Sequence, residues 1–156
     1  MIILGIDPGS RRIGFGLIKK EKGLLEMIGA GILKIKSNND LDAVIETKTQ
    51  LSKIISKYSP KFMAIEKLYF VKNQKTALAV AQSRGVIMLT ASEKGLPIRE
   101  FSPNEIKAGL TGYGLADKRA VAKMVKLILK KPDLKILDDA TDALAVAIVA
   151  SSKNQF

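Results

Sequence analysis

The sequence predicts an α/β fold in which a mixed central sheet is flanked by helices. Apolar segments with the short, continuous or alternating pattern of strands fill the first third of the chain. Later segments show the three-and-four spacing of helices and alternate with short apolar strands, an order that folds into a sheet covered by helices. The chain has 156 residues, 47% of them hydrophobic, which suits a single domain spanning residues 1–156.

The first third of the chain is expected to form an antiparallel meander of three strands. A continuous apolar run, Ile2–Ile6, is typical of a strand buried on both faces, and Pro8-Gly9-Ser10 ends it. Residues 12–20 alternate loosely between apolar and polar side chains, a turn follows at Lys22-Gly23, and residues 24–36 form a third extended segment. Short turns between consecutive strands favour antiparallel pairing.

After residue 40 the apolar period changes to that of a helix. The pattern predicts a helix that buries one apolar face and ends at Ser59-Pro60. Short strands are predicted at residues 62–65 and 98–101, with an Ala-rich helix over residues 77–94 between them. The predicted apolar face of the first helix consists of Leu41, Val44, Ile45, Leu51, Ile54, Ile55 and Tyr58.

Capping residues mark the start of the next helix. Ser102 as the N-cap, Pro103 at the first helical position and Glu105 at the third have the form of a capping box. The remaining predicted elements are a glycine-punctuated loop over residues 109–114, a helix over residues 117–131, and a last, nearly all-apolar helix that begins near Asp138 or Asp139.

Two acids are predicted to meet at one edge of the sheet. Asp7 directly follows the first strand, and Glu66 directly follows the strand at residues 62–65. The chain between these strands passes through a helix, and such a crossover usually returns parallel. If the strands are neighbours, both carboxylates emerge at the carboxyl end of the sheet, where α/β proteins carry their sites. Taken singly, Asp7 before Pro-Gly also suits a turn, and Glu66 suits a solvated strand end.

Composition limits the chemistry that this chain can perform. Lys and Arg number 26 against 15 acids, a formal charge of +11 that favours an anionic partner such as nucleic acid. The sequence contains no His and no Cys, which excludes His and Cys zinc sites, thiol nucleophiles, Ser-His-Asp triads and imidazole acid-base catalysis. The apolar start is too short for a signal peptide and no later run reaches membrane length, so a cytoplasmic location is expected.

Two acids of the last predicted helix, Asp138 and Asp142, have different expected roles. An acid at a helix start stabilises the helix dipole or caps it, and this capping role is the preferred interpretation of Asp138. Asp142 lies further into a helix that is otherwise apolar, where a carboxylate is costly unless a cation or metal pairs with it. Converging carboxylates repel one another unless a divalent cation holds them ionised, and oxygen-only ligands favour magnesium or manganese.

Four motifs in order identify a family. The segments GIDPGSRRIGFG, AIEKLYFVKN, AQSRG and DATDALAVAI resemble those of the bacterial RuvC Holliday-junction resolvases, which have the ribonuclease H-like fold. The resemblance extends from Ile3 to about Ile148. It implies catalytic and metal-binding roles for four acids, and the motif of the last helix selects Asp139 over Asp138. These acids are Asp7, Glu66, Asp139 and Asp142. The implied cofactor is Mg²⁺, about two ions per active site, with Mn²⁺ as a substitute.

The resemblance also implies how DNA is held. The implied substrate is a four-way junction, cut symmetrically by a homodimer with a two-fold axis. A branch-migration complex of the RuvA and RuvB type is an implied partner. Arg11 and Arg12 are interpreted as facing the substrate, and the glycines near Asp7 as letting a phosphate or metal approach the backbone. The implied DNA-binding residues are Tyr69, Phe70, Lys107 and Lys118, with Arg84 either contacting DNA or forming an ion pair. The alternatives are that the two aromatic side chains pack in the core or against a partner subunit, and that the two lysines are ordinary surface residues.

Three rival functions fit parts of the pattern. A noncatalytic nucleic-acid-binding member of the fold should have lost at least one of the four acids, and all are present. A nuclease similar to the YqgF type would share the first motif but should lack EKLYFVKN. An ATPase or phosphotransferase on this fold needs a second repeat, for which 156 residues are too few.

Overall fold

The computed structural model describes residues 1–68 and 74–152, with the backbone alone for residues 74 and 75. Strands and helices follow one another in the predicted order, with three helices after the last strand, as the sequence indicated. The elements are β1 (Ile2–Asp7), β2 (Arg12–Glu21), β3 (Leu24–Lys34), α1 (Asp40–Tyr58), β4 (Phe62–Glu66), α2 (Gln74–Glu93), β5 (Ile98–Phe101), α3 (Pro103–Thr111), α4 (Lys118–Ile128) and α5 (Asp138–Ser152).

Within the described residues the sheet has five strands in the order β3-β2-β1-β4-β5. β1, β2 and β3 pair antiparallel, which confirms the predicted meander. β4 pairs parallel with β1, and Ile6 lies opposite Ile65. The next residues along the two strands, Asp7 and Glu66, are therefore neighbours at the carboxyl edge, as the crossover argument predicted.

Helices cover both faces of the sheet. One face packs against α5, with α3 and α4 contributing further buried side chains, and the other packs against α1 and α2. α5 is the most deeply buried helix, because every residue from Ala143 to Ser151 is buried. No helix in the part of the chain that the structure describes has both the length and the apolar character needed to cross a membrane.

Glycines in β1 and β2 allow α5 to lie directly on the strand backbone. A Cβ atom at Gly5 would lie 2.0 Å from the carbonyl oxygen of Ala143, and one at Gly14 would lie 1.9 Å from that of Asp139. The interpretation that these glycines leave room for a phosphate or a metal is therefore wrong, since the helix that carries Asp139 occupies that space. Because the backbones approach so closely, the position of α5 is tied to that of β1 and β2.

The apolar face predicted for α1 is only partly buried. Leu51 and Ile55 are in the core, but Leu41 and Ile45 are 68% and 55% exposed. Buried positions near the start of the helix are instead taken by the small residues Ala43 and Thr47. Helical spacing identified the apolar residues, but it could not tell a core face from an exposed apolar surface.

Two predicted boundaries are corrected by tertiary contacts. The loop expected over residues 109–114 starts only at Gly112, because α3 continues through Gly109, where an added Cβ would lie 2.9 Å from Val149. The strand expected to reach residue 36 ends at Lys34, and the amides of Lys36 and Ser37 donate to the Glu46 carboxylate at 2.9 and 3.0 Å.

The other helix boundaries agree more closely with the sequence. The predicted capping box of α3 is confirmed, because Ser102 accepts from the Glu105 amide while the Glu105 carboxylate accepts from the Ser102 amide. Asp117 caps α4 as its N-cap. α2 begins at Gln74, three residues before the predicted start at 77, and α4 ends at Ile128, before the predicted end at 131.

We expect Ser83→Ala to stabilise the protein. The Ser83 hydroxyl is buried, 4% exposed, and has no hydrogen-bond partner among the described residues. Removing an unsatisfied buried hydroxyl should raise the free energy of unfolding by about 1 kcal/mol. Urea denaturation measures this change. A matched control is Thr90→Val, since the Thr90 hydroxyl donates to the Val86 carbonyl at 2.7 Å and its loss should destabilise by a similar amount. A loss of stability in Ser83→Ala contradicts the expectation.

Candidate active site

Four acids from three elements converge at the carboxyl edge of the sheet. Asp7 ends β1, Glu66 ends the neighbouring parallel strand β4, and Asp139 and Asp142 lie in the first turns of α5. The close packing of α5 on Gly14 fixes the distance between the first turn of the helix and strand β2. All three other carboxylates act electrostatically on Asp7, so the four groups form one charged cluster.

Burial and like charge act strongly on Asp7. The pKa of its carboxyl is raised from 3.8 to about 7, first by burial and then by the charges of Asp142, Glu66 and Asp139. Burial is also the main cause that raises the pKa values of Glu66 and Asp142. Ionising all of these carboxyls near neutral pH is therefore unfavourable for the folded protein. Shifted pKa values of this kind are typical of a functional site.

Two cations offset part of this charge. The Arg12 guanidinium contacts one Asp139 oxygen through Nε and Nη2, both at 2.9 Å. Lys118 Nζ lies 3.4 Å from Asp142 Oδ2, and this neighbour raises the pKa of the Lys118 ammonium. The pairing of Arg12 with Asp139 was not predictable from sequence, because the two residues are 127 positions apart and no local pattern links them.

A cavity of about 100 Å³ opens beside the acids. Charged residues on its wall are the predicted basic residues Lys107 and Lys118 and the acids Glu66 and Asp142. Lys107 and Lys118 also act on the Glu66 carboxylate and oppose the rise in its pKa. Apolar side chains complete the wall: Pro103, Ile106, Val121 and Ala145. An anion entering this cavity meets two ammonium groups next to the carboxylates.

The four acids offer the oxygen donors that a hard divalent cation prefers, and their mutual repulsion is what such a cation relieves. Across residues 1–68 and 74–152, however, no three acidic side chains are gathered closely enough to hold an ion as they stand. Asp139 and Asp142 instead face Arg12 and Lys118. The donor set fits Mg²⁺ in its chemistry, and in this structure one oxygen of each of these two carboxylates contacts a cationic side chain.

The structure separates Asp138 from Asp139. Asp138 is the first residue of α5 and is exposed. The first intrahelical hydrogen bond is accepted one residue earlier, because the Leu137 carbonyl accepts from the Thr141 amide. Asp138 therefore lies one residue inside the helix rather than at the cap, where its charge still favours the helix dipole. Asp139 is half-buried and acts directly on Asp7.

The remaining predicted contact residues have different environments. Arg84 is held in an ion pair with Glu100 of β5 and lies against the end of β4. Arg11 donates to the Ser37 carbonyl and lies 3.6 Å from Asp40, so it connects the β1–β2 loop to the start of α1. Tyr69 and Phe70 lie outside the described residues, and their assignment to DNA binding stays a prediction.

Sequence and structure comparisons agree on one family. The family model described as "Crossover junction endodeoxyribonuclease RuvC" matches residues 3–150. A protein of that name from Natranaerobius thermophilus is 43% identical over 152 residues, which cover 97% of this chain and 94% of that protein. Another, from Roseiflexus sp., is 41% identical over 146 residues, covering 93% of this chain and 87% of that protein.

The fold agrees as well. The structure of Thermus thermophilus RuvC in complex with a Holliday junction substrate matches with a TM-score of 0.89 at 27% identity, covering 97% of this chain and 93% of that chain. Thermus thermophilus RuvC in a second structure gives a TM-score of 0.87. These matches confirm the predicted ribonuclease H-like α/β fold with its mixed sheet. The chain belongs to the RuvC family of crossover junction endodeoxyribonucleases.

Proposed function

We propose that this protein is a metal-dependent endonuclease that resolves four-way DNA junctions by hydrolysing phosphodiester bonds. The observation that carries the proposal is the charged cluster around Asp7, whose carboxyl has a pKa raised to about 7 by burial and three neighbouring acids. This cluster opens into a cavity lined by Lys107 and Lys118. Membership of the RuvC family supplies the reaction class and the junction substrate.

Asp7, Glu66, Asp139 and Asp142 would hold the metal, for which Mg²⁺ is the best fit and Mn²⁺ a substitute. Divalent ions held by these carboxylates would supply activation of the attacking water and charge stabilisation at the leaving oxygen of the phosphodiester. The chain offers no histidine for proton transfer, so carboxylates, lysines and bound water are the available acids and bases.

The two lysines are proposed to bind the scissile phosphate or one next to it. The side chain of Lys118 is 78% exposed and its ammonium is only 3.4 Å from Asp142, so it reaches both solvent and the acid cluster. Lys107 lies on α3, lines the same cavity and acts on Glu66. Two ammonium groups placed beside the reacting phosphate would also stabilise the negative charge of the transition state.

We further propose that the active unit is a homodimer. α1 and α2 together expose an apolar surface around a groove that contains Leu41, Val44 and Leu89. Leu41, Ile45, Leu78 and Leu89 are each more than half exposed. A cluster of this kind marks an interaction surface. A two-fold dimer would present two active sites to a substrate that has its own approximate two-fold symmetry.

Leu89→Glu is expected to convert the dimer to a monomer. A charge placed in the apolar α1–α2 surface has no partner when two copies pack together, so association becomes unfavourable. Sedimentation velocity across a range of protein concentrations measures the change. Leu127→Glu is the matched control, because Leu127 is 65% exposed on α4, a different helix, and this variant should sediment like the wild type. A monomeric wild type would contradict the proposal.

Two alternatives are less well supported. A noncatalytic DNA-binding protein does not need four acids in one cluster, where burial and then mutual repulsion raise the pKa of Asp7. A nuclease of the YqgF type shares the first motif, but the match to the RuvC family covers residues 3–150 and includes the later motifs. A cytoplasmic location and docking to a branch-migration complex of the RuvA and RuvB type stay predictions.

Cleavage of defined DNA tests the function. The protein is incubated with a synthetic four-way junction or with linear duplex of the same sequence, each with Mg²⁺, Mn²⁺ or EDTA. We expect paired nicks in the junction with either metal, no cleavage in EDTA, and a rate at least about a thousandfold lower in Asp7→Asn and Asp142→Asn. Asp133→Asn, an exposed acid before α5, is the control. Equal cleavage of linear duplex would contradict junction selectivity, and active Asp7→Asn would contradict the proposed site.

A further inference from the structure

Arg84 on α2 connects the two strands that end beside the active site. Its guanidinium forms an ion pair with Glu100, which lies in β5. Its Nε also lies 3.5 Å from the backbone carbonyl oxygen of Glu66, the last residue of β4. The Arg84 side chain therefore contacts both the Glu100 carboxylate in β5 and the backbone of Glu66 in β4. The carboxylate of Glu66 belongs to the acid cluster.

Glu66 lies where β4 ends beside the short strand β5. The β4–β5 pairing places Ile65 opposite Glu100 and Glu66 opposite Phe101, and the last ladder bond runs from the Lys67 amide to the Phe101 carbonyl at 2.8 Å. β5 is only four residues long and lies at the edge of the sheet. The Arg84 side chain, which contacts both β4 and β5, therefore adds a link between α2 and these two strands at the position of Glu66.

The exposure and charge of Arg84 argue against a role as a phosphate contact. Its side chain is only 18% exposed, compared with 78% for Lys118. Its positive charge is already paired with a carboxylate, so binding a phosphate requires the ion pair with Glu100 to break. Guanidinium groups in a partly buried pair are held by their planar geometry and exchange partners less readily than exposed lysines.

We propose that Arg84, oriented by Glu100, is a positioning residue that holds the backbone of Glu66 and so sets where the Glu66 carboxylate lies in the active site. The inference rests on the proposed function, in which Glu66 is a catalytic acid. In this proposal Arg84 affects the rate of cleavage through the position of Glu66 and does not contribute to DNA affinity. Because a displacement of about 1 Å at a reacting group can cost roughly a hundredfold in rate, loss of this constraint should slow cleavage strongly.

The experiment separates binding from cleavage in four variants of the full-length protein: Arg84→Met, Glu100→Gln, the double variant, and the charge swap Arg84→Glu with Glu100→Arg. Junction affinity is measured in EDTA at several salt concentrations, and single-turnover cleavage is measured with Mg²⁺. Glu93→Gln is the matched control, because it breaks another ion pair of α2, with Lys48 at 2.8 Å, away from the acid cluster. Thermal melting shows which variants are folded at the assay temperature.

We expect both single variants to cleave roughly tenfold to a hundredfold more slowly while their junction affinity and its salt dependence stay within about twofold of wild type. The double variant should be no slower than the slower single variant, because both substitutions remove one interaction. The charge swap should stay as slow as Arg84→Met, because a glutamate at position 84 cannot donate to the Glu66 carbonyl, and Glu93→Gln should match wild type.

Other outcomes overturn the proposal. If Arg84→Met weakens junction binding and lowers its salt dependence while Glu100→Gln cleaves normally, Arg84 is a phosphate contact. If Arg84→Met does not fold, the result for Glu100→Gln tests the proposal alone, because this variant keeps the Arg84 guanidinium and removes only the carboxylate charge that orients it. Normal cleavage by Glu100→Gln then contradicts the proposal. The proposed function fails separately, if the wild type does not cut the junction or if Glu66→Gln cuts as well as wild type.

Discussion

Asp7→Asn is expected to be more stable than the wild-type protein at pH 8 in EDTA, while losing cleavage activity. The Asp7 carboxyl has a pKa of about 7 in the folded protein and an ordinary value of 3.8. Each tenfold change in proton affinity corresponds to about 1.4 kcal/mol, so the ionised carboxylate destabilises the metal-free fold by up to about 4 kcal/mol. Asparagine has a similar shape and carries no charge.

The sign of the effect sets the pH range to measure. Below pH 4 the carboxyl is protonated in both the folded and the unfolded chain, so Asp7 contributes no pH dependence. Between about pH 4 and pH 7 the unfolded chain has released the proton that the folded chain still binds, so stability falls as pH rises. Well above pH 7 the carboxyl is ionised in both states, and the destabilisation is constant.

Urea denaturation of both proteins at pH 4, 5, 6, 7 and 8 measures this difference. The gain in Asp7→Asn over wild type should be small at pH 4 and should grow until about pH 7. Asp133→Asn, at an exposed position, should show no such growth. Adding Mg²⁺ at pH 8 should stabilise the wild type more than Asp7→Asn, because ligand binding to the folded state shifts unfolding. A gain that does not depend on pH would contradict the electrostatic explanation.

Gly14→Ala is expected to reduce stability and cleavage together, although Gly14 is not one of the acids. The new Cβ would lie 1.9 Å from the carbonyl oxygen of Asp139, so α5 has to move away from β2. Forcing extra atoms into a packed contact costs about 1–3 kcal/mol. Because Asp139 and Asp142 move with the helix, the cleavage rate should fall by roughly a hundredfold even where the protein remains folded.

Melting temperature and single-turnover cleavage of Gly14→Ala check both parts of this prediction. Gly114→Ala is the matched control: it lies before α4, and its added Cβ would have its nearest neighbour, the Asn104 carbonyl oxygen, at an ordinary 3.5 Å. This control should change neither quantity appreciably. A Gly14→Ala protein that cleaves like wild type would show that α5 can shift without displacing its acids.

The features that followed from sequence are those that local patterns encode. Alternation and continuous apolar runs identified the strands, and the crossover rule placed Asp7 and Glu66 at one edge, which the parallel pairing of Ile6 with Ile65 confirms. The capping box at Ser102 was identified because its residue types and spacing are specific to a helix start. Four motifs in order also identified the family.

Contacts between distant parts of the chain were not accessible in the same way. The pairing of Arg12 with Asp139 and of Arg84 with Glu100 depends on how helices pack on the sheet. The missing side chain of Gly14 suggested space for a ligand, but the backbone of α5 at Asp139 occupies that space. Leu41 and Ile45 fitted a core face by spacing but are exposed, which periodicity alone does not reveal.

The sequence by itself determined the fold class, the edge where Asp7 and Glu66 meet, and the exclusion of imidazole and thiol chemistry, because residue type and short spacings carry that information. Only the tertiary structure decided how charge is balanced there. Burial and neighbouring acids raise the pKa of Asp7, while Arg12 and Lys118 pair with Asp139 and Asp142. These effects depend on distances across the fold and on exclusion of water, which exist only after α5 has packed on the sheet.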